Sequence, residues 1–166
     1  QHATLWPIPG GSAAMMVLIG FGLARFRAGA LIAGDFRTFF RPLLAVLLPY
    51  YVILAGYVLA WGTVPLSSLF LVGNFGIGDP ALKTMLPYLY WFVEAFVQLM
   101  LVLAGLFLIP PVRRLATRDP FRFGLALLAA ALLARWLGPI LWPIGGRQIF
   151  APWWVFHLAA FGWCAA

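Results

Sequence analysis

A continuous apolar run occupies positions 88–109 of the chain, YLYWFVEAFVQLMLVLAGLFLI, with a proline on each side. As an α-helix rising about 1.5 Å per residue, it would extend for roughly 33 Å, enough to cross a bilayer core of about 30 Å. Glu94 is its single charge, and Tyr90, Glu94 and Gln98 share one helical face because they stand four residues apart. A carboxylate inside a span is costly, so we expect it to face a partner or a water-filled cavity.

The composition extends this interpretation to the whole chain. Hydrophobic residues make up 64% of the sequence and charged residues only 9%, which excludes an ordinary soluble domain. The apolar runs are continuous over about 20 residues and do not alternate, which favours helices over a β-barrel. The sequence therefore predicts an all-α fold: a polytopic, multi-pass membrane protein with a bundle of about five transmembrane helices. Residues 1–166 are expected to form a single transmembrane domain.

Further apolar runs and polar connectors give the predicted order of elements. Besides 88–109, the predicted spans are 13–24 (completed by 5–8 or by a tilt), 42–61, 121–142 and 151–166. Pro42 is predicted to lie in the first turn of its span and Pro49 to kink it. The predicted connectors are 28–41, a long loop at 62–83 that reaches the interface, 110–122 and 143–152. Because the chain begins without Met and stops inside an apolar run, we expect it to be a fragment of a longer one.

The basic residues predict the orientation of the bundle. If the spans alternate, one side receives eight arginines: Arg25, Arg27, Arg37, Arg41, Arg113, Arg114, Arg118 and Arg122. The other side receives Lys83 and Arg147. This bias places the eight arginines in the cytoplasm and the protein in the inner (plasma) membrane of the cell. It also accounts for the net charge of +7, so nucleic acid is not expected as a partner and the lipid bilayer is.

Three ionisable residues fall inside predicted spans at similar depths. Glu94, Arg135 and His157 lie roughly 12, 10 and 9 Å below the external face when the helical rise is counted along each span. An ion pair between Glu94 and Arg135 is one expectation, and a polar pocket open to the external half of the membrane is the alternative. His157 is predicted to be a buried, hydrogen-bonded imidazole. The chain has one cysteine, Cys164, and no pattern of metal ligands or nucleotide-binding glycines, so no metal is expected.

Several local motifs point to one family. His2 is followed by a Gly-Gly pair and by the segment 18–26, LIGFGLARF; the basic stretch 36–41, FRTFFR, leads to Pro-Tyr-Tyr at 49–51; and 91–94 reads WFVE. These resemble, in turn, the histidine at the end of a first helix with a following Gly-Phe helix, a basic stretch leading into Pro-x-Tyr, and a Trp-containing helix with a glutamate. Together they resemble the acyltransferase-3 family of integral membrane O-acyltransferases.

The resemblance implies a function and its residues. It implies transfer of an acyl group, acetyl being expected, from cytoplasmic acyl-CoA to a hydroxyl of a cell-surface glycan or a similar small acceptor. His2 would be the catalytic base, a role that suits its ordinary pKa near 6.5, and Glu94 a second catalytic residue. Arg25, Arg37 and Arg41 would bind the phosphates of acetyl-CoA.

Two other classes of protein stay open at this stage. A transporter or flippase component would use the level of Glu94, Arg135 and His157 as a substrate site, and a structural membrane subunit would need no chemistry. An apolar helix before Gln1 that contains an arginine would favour the enzyme. A second, inverted copy of the hydropathy pattern would favour the transporter.

Overall fold

The computed structural model describes residues 10–77, 90–144 and 149–166, and the regular elements within these ranges are all helical. The predicted all-α class is confirmed. The helices are α1 Gly10–Ala33, α2 Phe36–Trp61, α3 Leu66–Leu69, α4 Trp91–Leu108, α5 Pro110–Arg118, α6 Pro120–Leu141 and α7 Pro152–Cys164. A 3-10 turn at Gly73–Phe75 lies between α3 and α4.

The junction between α1 and α2 differs from the prediction. The expected connector at 28–41 is wrong, because only Gly34 and Asp35 separate the two helices. The Asp35 carboxylate accepts a hydrogen bond of 3.0 Å from the Thr38 amide, which caps α2 and starts it at Phe36. The hydrogen bonds with Thr38 also hold the pKa of the Asp35 carboxyl below its ordinary value. The arginines near this junction belong to the helices themselves.

The early start of α2 changes the position of its prolines. Pro42 is the seventh residue of the helix, so its predicted place in the first turn is wrong. Pro42 and Pro49 both lie within one helix of 26 residues. The helix ends at Gly62, whose left-handed backbone (φ 77°) places its N–H 2.8 Å from the Val58 carbonyl.

Helix α4, predicted from the apolar run 88–109, is the centre of the bundle. In its most apolar stretch 61% of the residues are buried, against 22% in α1, 11% in α2 and 6% in α6. It contacts α1, α2, α5, α7 and the 3-10 turn. A helix that is apolar on all sides satisfies this position because every face meets either protein or lipid. The carboxylate of Glu94 is therefore placed where solvent does not reach it.

Helix α7 packs between α1 and α6 at very short range. A Cβ atom added to Gly20 of α1 would overlap the Ala159 carbonyl of α7, and one added to Gly162 would overlap the Val17 carbonyl of α1. On the other side of α7, a Cβ added to Gly138 of α6 would overlap the Trp153 side chain. Small residues at these points let helix backbones approach closely, as is typical of helix pairs in membranes.

The contacts define two ends of the bundle. At one end Arg113 lies against Gly34, and the rings of Phe107, Phe123 and Trp163 pack together. The described arginines other than Arg135 belong to this end, which is named the arginine-rich end below. At the opposite end, aromatic rings join the 3-10 turn to the start of α7 and the start of α4 to the residue pair before α7. The indole N–H of Trp142, just after α6, also donates a hydrogen bond to the Phe75 carbonyl of the turn. The predicted gathering of these arginines at one end therefore agrees with the packing.

In the described part of the chain, four helices are long and apolar enough to cross a membrane: Ala13–Ala33, Phe36–Trp61, Trp91–Leu108 and Pro120–Leu141. The chain is therefore a helical membrane protein. The fifth predicted span corresponds to α7, whose 13 residues rise over only about 20 Å. The first predicted span, 13–24, extends further than expected, because α1 continues through Arg25 and Arg27 to Ala33.

Candidate functional site

The segment after α2 turns back into the bundle. Tyr50 lies 11 residues before the end of α2 at Trp61, about 16 Å along the helix axis. Its hydroxyl nevertheless donates a hydrogen bond of 2.7 Å to the carbonyl of Ser68, in α3. The Tyr51 hydroxyl donates a 3.0 Å bond to the Leu69 carbonyl. The chain thus descends beside α2 after leaving it, and residues 66–75 are named the re-entrant segment.

Side chains of α4 bond to the backbone of the re-entrant segment. Glu94, in the first turn of α4, accepts a hydrogen bond of 2.7 Å from the Asn74 amide. Gln98 donates to the Leu71 carbonyl at 2.7 Å and exchanges two bonds with the Asn74 side chain, at 2.7 and 2.9 Å. Irregular backbone at membrane depth is tolerated only where its polar groups find partners. Glu94 and Gln98 provide those partners, so this cluster is the polar core of the bundle.

Two features show how closely the re-entrant segment fits this cluster. A Cβ added to Gly73 would stand 3.0 Å from one carboxylate oxygen of Glu94 and 3.4 Å from the other, so a larger residue would require the carboxylate to shift by a few tenths of an ångström. Leu71 has a backbone φ of 59°, which is uncommon for a residue other than glycine. Such a conformation persists where the surroundings hold it, and here Gln98 bonds to the Leu71 carbonyl.

Arg135 pairs with His157, and the expected ion pair with Glu94 is not formed. The Arg135 Nη1 atom donates to the Nε2 atom of His157 at 2.6 Å, and its guanidinium carbon lies 4.6 Å from the centre of the Trp154 ring. Among the described residues the one ion pair within 4.0 Å joins Arg122 to Asp119. The predicted buried, hydrogen-bonded state of His157 is confirmed.

The depth argument failed for Glu94 because it used the wrong helix start. Helix α4 begins at Trp91, so Glu94 is three residues, about 5 Å, from its end. Arg135 stands six residues from the end of α6, and His157 five residues from the start of α7, both about 8–9 Å. Arg135 and His157 therefore meet at one level, whereas Glu94 faces the re-entrant segment.

Several cavities lie on the arginine-rich side of this polar core, and one of about 390 Å³ is lined by residues of α5: Pro110, Arg113, Arg114, Thr117 and Arg118. A cavity of about 400 Å³ at the arginine-rich end is lined by Arg25 and by apolar and aromatic residues that include Phe107, Phe121 and Trp163. A second cavity, of about 240 Å³, is lined mainly by leucines and alanines of α1, α4, α6 and α7 and reaches Gly20. Trp163 lines both. The larger cavity thus combines one arginine with mainly apolar walls, and Trp163 lies between it and a wholly apolar cavity.

The predicted site residues do not gather at one point. His2 lies outside the described residues, so its position relative to Glu94 stays a prediction. Arg25 is exposed and lines the larger cavity, whereas Arg37 and Arg41 are exposed on the first two turns of α2 and do not line it. Four residues that contact these clusters were not identified from the sequence: Tyr50, Tyr51, Asn74 and Trp154. For Asn74 a signal existed, because an asparagine is an unusual residue in so apolar a chain.

Comparisons with known proteins add no relative to this picture: the chain matches no protein-family model, no curated protein and no solved structure.

Proposed function

We propose that this chain is the membrane domain of an O-acyltransferase that transfers an acetyl or similar acyl group from cytoplasmic acyl-CoA to a hydroxyl of a cell-surface glycan. In this proposal the membrane is the plasma membrane, the arginine-rich end faces the cytoplasm, and α7 is the fifth membrane helix. The observation that supports it best is the larger cavity, because an arginine beside apolar and aromatic walls suits a phosphate-bearing thioester.

The donor site follows from the linings of the two cavities. Arg25 would bind a phosphate of the donor, since a guanidinium matches phosphate oxygens in charge and in donor geometry. The pantetheine arm would lie along the aromatic wall at Trp163, and the acyl group would point into the smaller cavity toward Gly20. Arg37 and Arg41 stand outside both linings, so their proposed role is to attract the anionic donor to this end of the bundle.

The transfer step needs a base at the acceptor. His2 would take the proton of the acceptor hydroxyl, the hydroxyl oxygen would form the new bond to the thioester carbonyl carbon, and the thiolate of coenzyme A would leave. Glu94 is the second proposed catalytic residue. The carboxylate already accepts the Asn74 amide hydrogen bond, so it also holds the re-entrant segment in place.

The test uses the full-length protein in detergent, radiolabelled acetyl-CoA and a cell-envelope glycan extract as the acceptor. The wild-type protein should label the extract, and His2→Ala should abolish labelling without reducing the amount of inserted protein. Arg25→Ala should raise the KM for acetyl-CoA about tenfold, the expected effect of losing one charged hydrogen bond. Arg118→Ala, which removes an exposed arginine that lines the α5 cavity and not the larger one, should leave the KM unchanged. A raised KM for this variant would contradict the assignment of the donor to the larger cavity.

Glu94→Gln separates the two roles of that residue. Glutamine keeps an oxygen that accepts from the Asn74 amide, so the thermal midpoint of unfolding should change little, whereas a catalytic carboxylate would be lost. Unchanged labelling by Glu94→Gln would leave Glu94 with its structural role alone. Absence of any labelling by the wild-type protein would contradict the proposed activity itself.

A further inference from the structure

The partners of Arg135 leave its positive charge unbalanced. A guanidinium is always protonated and only donates hydrogen bonds, so the Nε2 atom of His157 must be the acceptor of their 2.6 Å bond. The imidazole proton is then on Nδ1, and the ring is neutral. The other close group, the indole of Trp154, is also neutral. Among the residues that the structure describes, Arg135 therefore has an acceptor and an aromatic face but no negative charge beside it.

The acidic side chains of the described residues are engaged elsewhere. Asp35 and Asp119 lie at the arginine-rich end, where each caps a helix. Glu94 is bonded to the Asn74 amide. A charge within a membrane span normally pairs with an opposite charge or lines a polar cavity, because hydrocarbon does not solvate it. Asp79 lies outside the described residues and enters the test below.

One buried donor beside Arg135 has no acceptor among the described residues: the Nε1 atom of the Trp154 indole. The Nδ1 atom of His157 lies within reach of the Trp154 backbone carbonyl, which is its natural acceptor. The His157 side chain is deeply buried, with 9% of its surface exposed. Buried polar atoms without a partner are rare in proteins and usually indicate an absent water, ion or ligand. The indole Nε1 atom is a donor, so the missing group must be an acceptor.

From this arrangement we infer that Arg135, Trp154 and His157 form a binding site for an oxyanion, a phosphate or carboxylate group that reaches α6 from its outer side. The guanidinium supplies the charge and the indole N–H a further hydrogen bond, while His157 holds the guanidinium in place. The approach is from the outer side of α6, where Trp136 and Ile140 are 68% and 63% exposed and Arg135 itself is half-buried.

Two sources of this oxyanion share the same chemistry: the headgroup of an anionic lipid and a free anion from the aqueous side. The site involves none of the residues proposed for acyl transfer, and its test measures binding. Failure of this inference would therefore leave the proposed function unaffected.

The test is native mass spectrometry of the full-length protein in detergent, titrated with phosphatidylglycerol. Diacylglycerol serves as the lipid without phosphate, and inorganic phosphate as the free anion. We expect the wild-type protein to bind phosphatidylglycerol, and Arg135→Gln to bind it at least about tenfold more weakly, since a charged hydrogen bond is lost. Displacement of the lipid by inorganic phosphate would identify a free anion as the ligand, and resistance to displacement the lipid headgroup.

Two further variants keep the outcome decisive. Trp154→Phe preserves an aromatic ring under the guanidinium but removes the N–H, so it should weaken binding while leaving the protein folded. Arg114→Gln removes an exposed arginine at the other end of the bundle and should bind as the wild type does. Equal binding by Arg135→Gln and the wild type would overturn the inference, and so would equal binding of diacylglycerol. Binding that appears only after Asp79→Asn would also overturn it, because the chain's own carboxylate would then fill the site.

Discussion

Replacement of Gln98 by leucine tests whether the re-entrant segment is held by α4. The change keeps a side chain of similar length but removes three hydrogen bonds: one to the Leu71 carbonyl and two with the Asn74 side chain. Side-chain hydrogen bonds in membrane proteins contribute about 0.6 kcal/mol each on average, so the loss should be about 2 kcal/mol. A larger loss is expected if the side-chain carboxamide of Asn74 stays buried without partners, because an unsatisfied group costs about 1–3 kcal/mol.

The assay is equilibrium unfolding in mixed detergent micelles, followed by tryptophan fluorescence. Leu101→Met is the matched control, because Leu101 lies three residues further along α4 and is 56% exposed on its outer face. This control should unfold with the wild-type free energy within about 0.5 kcal/mol.

A double variant tests the coupling directly. Combining Gln98→Leu with Asn74→Leu removes both members of the side-chain pair, so no carboxamide is left buried without a partner at position 74. The double variant should lose less stability than the two single losses together, as expected for residues in direct contact. A Gln98→Leu loss below about 0.5 kcal/mol, or strictly additive losses, would refute the assigned role of Gln98.

Three other predictions follow from the packing and the termini of the helices. Gly20→Ala should destabilise the protein by about 1–3 kcal/mol in the same unfolding assay, because its Cβ overlaps backbone, whereas Gly22→Ala, with open space around it, should not. Cysteines placed at Arg37 and Arg114 should resist an impermeant thiol reagent in intact cells, and labelling there would contradict the proposed orientation. The pKa of the Asp35 carboxyl is lower in the folded protein than in the unfolded chain. Its ionised cap therefore stabilises the fold fully above the unfolded pKa of about 3.9, and this stabilisation is lost as the pH falls through the folded pKa. Asp35→Ala should therefore lower the thermal midpoint at neutral pH, and the difference should shrink in acid; an equal difference at both pH values would exclude the cap's ionisation as the cause.

The spans were predictable because hydrophobic length is a property of the residues themselves. The run at 121–142 forms α6, with each end within one residue of the prediction, and the run at 88–109 forms the central helix α4. The α1–α2 junction was not predictable in the same way, since the arginines were interpreted as markers of a loop. Arg25 and Arg37 lie in helices because long side chains carry the charge out of the membrane without requiring the backbone to leave it.

The partner of Glu94 could not be read from the sequence. Its carboxylate bonds to the amide of Asn74, and every residue except proline has such an amide, so no side chain type marks it. Counting the helical rise placed Arg135 and His157 at one level, because each stands close to a helix end that the sequence placed correctly, but the predicted partner of Arg135 was Glu94 and not His157. Counting failed for Glu94, where the start of α4 was misplaced.

The order of synthesis adds a consequence of the way the re-entrant segment is held. Tyr50 and Tyr51 leave the ribosome before this segment, whereas Glu94 and Gln98 leave it after the segment. The Leu71 carbonyl and the Asn74 backbone N–H therefore lack their α4 partners until α4 has been made and inserted. We expect the segment to enter the bundle only after α4, so that its insertion is a late step of assembly.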